Sequence, residues 1–130
     1  MNTVVREWLG KAEGDYLTAT READADPPNY DAVCFHAQQC IEKIIKALLI
    51  ENKQIPPKTH DLPTLSGLLS SIRTEWHWPI EQLRLLTHAA VTFRYPGESA
   101  GHEEATAALD ICKSARSQLL TLLTDVQGSH

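Results

Sequence analysis

The chain has 130 residues, 42% of them hydrophobic and 22% charged, and a formal net charge of -5. This is ordinary globular composition; it excludes a disordered protein and suits one domain burying roughly two-thirds of its unfolded surface. The negative charge weighs against a surface that binds nucleic acid broadly, since such binding depends on Lys and Arg neutralising phosphates, and no DNA partner is expected.

Taken in chain order, the N-terminal MNTVVREWLGKAEGD is charged and amphipathic, with no apolar leader. No later run approaches the length of a membrane span, so a soluble, cytoplasmic protein without a membrane partner is expected. In the first segment Val5, Trp8, Leu9, Ala12, Tyr16, Leu17 and Ala19 recur at helical spacing, with Lys11, Glu13, Asp15 and Arg21 mostly on the other side. The prolines of DADPPNYD break it. A second helix, capped by Asn29 or Asp31, runs to about Asn52. Its apolar residues, Val33 to Leu49, cover more than one stripe, which predicts a central helix with neighbours on several sides.

After NKQIPPKTHDLP a short third helix starts at Asp61 and buries Leu62, Leu65, Leu68, Leu69 and Ile72. A fourth begins at Pro79 and carries Ile80, Leu83, Leu86, Ala90 and Phe93 towards a stop at Tyr95, which precedes Pro96. A fifth runs from His102 or Glu103 to Asp125, with Ala105, Ala108, Leu109, Cys112, Leu119, Leu122 and Leu123 inward. No segment shows sustained strand alternation. The fold class expected is all-α: an up-and-down bundle of four long helices plus one short one, forming a single domain over residues 1–127. Residues 128–130 read as a vector-derived tail, and His130 is given no role.

The three cysteines, Cys34, Cys40 and Cys112, form no C-x-x-C pair and read as buried free thiols. No metal site and no cofactor is expected. His36 and Cys40 at (i, i+4) are the nearest approach to a zinc spacing, and two ligands do not make a site. There is no phosphate-cradling glycine loop and no nucleotidyltransferase motif, so any nucleotidyl transfer belongs to a partner.

The second helix poses the functional question. His36, Gln39, Lys43 and Lys46 follow one another at spacings of three, four and three and share a face, with Gln38 and Glu42 in an adjacent row. One reading is a solvated stripe with a surface Glu42–Lys46 pair. The other is a groove wall for an anionic ligand or a second subunit. Lys58 and His60 precede the third helix, where a phosphate could rest, although Asp61 as a cap would occupy that position itself. Trp76 and Trp78 around His77 read as lids over the end of the core rather than as a base-stacking platform.

In order, the blocks WLGKAEGDYLTA, YDAVCFHAQQCIEKIIKALLIENKQIPPKTHDLPTL, LTHAAVTFRYPG and HEEATAALDICKSA resemble the bacterial HEPN domains, over about Val4 to Leu123. The resemblance implies a four- to five-helix bundle that commonly forms a homodimer. It also implies a small nucleotidyltransferase encoded nearby, in a toxin–antitoxin pair, and a nucleotide or RNA as ligand. The family's H-x-x-Q-x-x-x-K pattern falls on His36, Gln39 and Lys43, which are expected to face a groove or the partner subunit, as are Lys46, Lys58, His60 and Tyr95. Many members are metal-independent ribonucleases using an Arg and a His with four to six residues between them; others bind nucleotides or act as scaffolds. Here Arg94 is followed by His102 with seven residues between them, so binding is expected ahead of cleavage. Were the pair catalytic, Arg94 would clamp the phosphate and His102 would move the proton.

Overall fold

The structure, a computed structural model, describes the backbone of residues 1–128 and side chains through Leu123; Ser129 and His130 of the expected tail lie outside the described residues. The first helix, α1 (Thr3–Asp24), begins where Asn2 accepts a hydrogen bond from the Val5 amide at 2.8 Å, satisfying an otherwise orphaned donor. Asn29 caps α2 (Tyr30–Glu51) in the same way, accepting from the Ala32 amide at 3.1 Å. Asp31, the other expected cap, instead accepts from the Ala100 amide at 2.6 Å and ties the start of α2 to the segment before the last helix.

Asp61 caps α3 (Leu62–Ile72) by accepting from the Thr64 amide at 3.1 Å, so the cap itself takes the anion position at this helix start. The fourth helix, α4 (Ile80–Thr92), is shorter than expected at both ends: Pro79 is its cap and Phe93 closes it, ahead of the Tyr95–Pro96 stop. The last, α5 (His102–Gly128), outruns the expected end at Asp125.

The molecule is an all-α up-and-down bundle, with no strand among the described residues. Among the described residues, only α2 packs against all four other helices, as its broad apolar surface demands, and its Ile41, Ile44, Ile45 and Leu48 are buried. The inward face of α5 is the expected one, extended by Ala115. Elsewhere the periodicity overreached. Leu17, Leu68, Ile72 and Ile80 are exposed, Leu68 and Ile72 at the rim of a small cleft shared with Leu49 and Gln54. Asp15, expected outside, is buried, because the polar row of α2 lies opposite it.

All three cysteines are free and buried. Trp76 is buried, donates through Nε1 to Ser66 Oγ at 2.9 Å and stacks on Trp78 with centroids 5.6 Å apart, so the pair does close the core as a lid. None of the described helices is long and apolar enough to cross a membrane.

Candidate functional site

The polar row of α2 is not a solvated stripe. Two buried carboxylates take it up, one from α1 and one from α2 itself. Asp15 accepts from His36 Nδ1 at 2.7 Å and from Lys43 Nζ at 2.6 Å. Glu42, with 4% of its side chain exposed, accepts from Gln38 at 2.9 Å, Gln39 at 3.4 Å, Lys46 at 3.0 Å and His60 Nδ1 at 3.0 Å. The Glu42–Lys46 pair expected on the surface is thus buried, since Trp8 of α1 lies over the ammonium at 5.8 Å.

Burial alone would push the Glu42 carboxyl up, but hydrogen bonds from Gln38, His60 and Lys46 outweigh it and hold the group below its ordinary value. Each oxygen has at least two donors, which is what a buried charge requires. The same network fixes the chain after α2. Gln38 Nε2 also donates to the His60 carbonyl at 3.0 Å, and Gln39 Nε2 donates to Gln38 Oε1 at 2.8 Å. His60 is therefore held at both backbone and ring, while 77% of its side chain stays exposed. Because an ionised carboxylate only accepts, Nδ1 must carry the proton, and Nε2 is left without a partner among the described residues.

His60 lines a groove of about 290 Å³ between α2 and the end of α4, together with Phe35, Gln38, Gln39, Val91 and Arg94. The Arg94 guanidinium lies over the Phe35 ring, 5.5 Å from its centroid. Among the described residues no carboxylate lies within ion-pair distance of it, so its five N–H donors are available to a ligand.

The structure thus brings together Arg94, His60 and Gln39 of the sequence-derived candidates. His36 and Lys43 are taken by Asp15, and Lys46 by Glu42 beneath Trp8. Lys58 and Tyr95 are exposed and do not line the groove. His102 stands elsewhere, edge-on to Tyr30 at 5.8 Å, in a separate depression with Asp24, Asp110 and Lys113. Arg94 and His102 share neither a groove nor a contact.

Three contributors were missed in the sequence: Phe35 as the support for Arg94, Glu42 as the hub, and Asp15 as the partner of His36. Asp15 falls between Ala12 and Ala19 at spacings of three and four, so a signal for its burial was present. No group of three or more His, Cys, Asp or Glu side chains arranged to hold a metal occurs among the described residues.

Two solved structures are similar to this chain. One, TT1696 from Thermus thermophilus, has a TM-score of 0.73 at 21% identity, covering 90% of this chain and 96% of its own. The other, ST0689, described as an archaeal HEPN homologue, has a TM-score of 0.61 at 21% identity, covering 88% and 97%. At such identity they speak for the fold. No curated protein matches the sequence. The model of the HEPN domain matches residues 5–119, nearly the whole bundle, and the chain belongs to the HEPN-domain family.

Proposed function

We propose that the groove between α2 and α4 binds the phosphate of a nucleotide or RNA end, in a homodimer acting beside a small nucleotidyltransferase encoded nearby, as in a toxin–antitoxin pair. The observation that carries the ligand class is Arg94: a permanently charged fork, propped on Phe35 and free of carboxylates, beside the amides of Gln38 and Gln39. The size of the groove, at the lower end of ligand pockets, suits one nucleotide rather than a long strand. The overall charge of -5 points the same way, because a long polyanion would be repelled outside the groove. RNA cleavage by Arg94 and His102 asks both side chains to reach one phosphodiester from separate depressions, so binding takes precedence.

Calorimetric titration of the folded protein with nucleoside monophosphates, nucleoside triphosphates and a short oligoribonucleotide tests the reading. Arg94→Ala should weaken binding about 10- to 100-fold, the worth of a charge-assisted hydrogen bond. Equal affinity in the variant, or no binding by the wild type, sinks it. A metal-free RNA-cleavage assay beside Arg94→Ala and His102→Ala decides against the enzyme alternative if the wild type leaves RNA intact. Sedimentation of the purified protein, alone and with the neighbouring gene product, tests the dimer and the partner.

A further inference from the structure

Resting on the reading of this groove as a phosphate site, we infer that His60 is its second, proton-dependent arm, and that buried Glu42 is the residue that positions it. The ligand would then be taken up together with a proton. Three features of the geometry lead there.

His60 Nδ1 lies 3.0 Å and 3.1 Å from the two oxygens of Glu42, so the ring is aimed by a carboxylate that cannot turn away. That carboxylate is itself pinned by Gln38 and Lys46. The ring lines the same groove as Arg94, with its Nε2 edge unpartnered among the described residues. Finally, Gln38 holds the His60 carbonyl at 3.0 Å, so the loop cannot carry the ring off.

Pinning Nδ1–H has a chemical consequence. Neutral His60 is confined to the tautomer whose Nε2 bears a lone pair, which repels a phosphate oxygen. Only protonation places an N–H donor and a positive charge on that edge. The ionisable groups around the ring are Glu42 and Lys46 from α2, Lys58 and Asp61 in its own loop, and Arg94 at the end of α4. Lys46 is engaged by Glu42, Asp61 by Thr64, and Lys58 does not line the groove, which leaves Arg94 as the cation sharing it with the ring. A phosphate seated between Arg94 and His60 favours the protonated ring, so affinity rises as pH falls.

The probe is a 2′-O-methylated uridine dinucleotide, whose single diester keeps one charge across the range and cannot be cleaved. Its affinity for the full chain is measured from about pH 5.5 to about pH 8, spanning the ordinary histidine range. Proton uptake is read by repeating the titration in buffers of different ionisation enthalpy. The expected result is affinity falling by about tenfold across the range, with close to one proton taken up at the alkaline end.

His60→Gln should give a flat profile at the weak, alkaline level. Glu42→Gln frees the other tautomer, so a neutral ring can donate from Nε2; its profile should flatten while binding at neutral pH persists. A structural role alone would lower Glu42→Gln affinity equally at every pH, and that result would overturn the positioning role. Binding that is tight and pH-independent in the wild type would overturn this inference and leave the nucleotide reading standing. No binding of the diester at any pH would overturn this inference, while the titrations with nucleoside mono- and triphosphates decide the nucleotide reading separately.

Discussion

At the scale of single residues, Glu42 combines a structural and a functional part. It is an acid inside a core, stabilised by donors rather than by water. Its carboxyl is held below the ordinary value, so the stability it contributes is present above the unfolded value and is lost as pH falls through the folded one. Urea midpoints measured down an acid series should therefore fall more steeply in the wild type than in Glu42→Gln. Glu42→Ala strands the Lys46 ammonium in the core and should cost about 3–5 kcal/mol by urea unfolding.

Cys34 and Cys40 behave in the opposite way. Burial, with Asp31 and Glu104 nearby, raises the Cys34 thiol to about 11, and Cys40 is raised by its hydrogen bond to Cys112 and by burial. Thiolate is the reactive form, so native protein at about pH 8 should resist a disulfide reagent. All three thiols should react once denaturant is added. Fast labelling of the folded chain would contradict the buried placement.

At the scale of elements, the helix ends carry the information that periodicity lacks. The end of α2 shows it: Lys53 sits at φ 63°, its amide bonding the Ile50 carbonyl at 2.9 Å while that of Gln54 bonds Leu49 at 2.8 Å. This 6→1 and 5→2 pairing turns the chain into the loop that delivers His60, and the position favours glycine. Lys53→Gly should therefore stabilise the fold by up to about 1 kcal/mol in thermal or urea unfolding, and a loss of stability would refute the strain. The cap at Asp61 was readable from residue type, and that of α2 was narrowed to Asn29 or Asp31, because caps depend on three or four consecutive residues. The early end of α4 was not. Phe93 and Arg94 lie just beyond the helix, and there Arg94 finds the Phe35 ring.

For the whole molecule, α1 and α2 are joined by charge as well as by apolar contact, and this reverses the ranking of two α1 residues. Leu17 looked inward by spacing but is 45% exposed, whereas Asp15 is buried between His36 and Lys43. Asp15→Ala should therefore destabilise by about 3 kcal/mol, since it leaves two partly buried donors unmatched, while Leu17→Ala should stay within about 0.5 kcal/mol. Equal costs in urea unfolding would refute that assignment. A further tie runs from α5, where Arg116 stacks on Tyr16 at 4.1 Å and donates to Glu13 at 2.6 Å.

The sequence by itself determined the helix count, the Asp61 cap, the centrality of α2 and the family, because these rest on local spacing, residue type and the order of short blocks. It also pointed to Arg94, His60 and Gln39. Only the tertiary structure decided which of the polar residues act together. His60 lies 18 residues from Glu42, and Asp15 lies 21 from His36 and 28 from Lys43, so their pairing follows from how helices and loop pack. A helical wheel places His36, Gln39, Lys43 and Lys46 on one face, but it cannot say which neighbouring element supplies the opposite charge. That choice assigned His36 and Lys43 to Asp15, set Trp8 over the Glu42–Lys46 pair that spacing alone had indicated, and left Arg94 and His60 facing the groove.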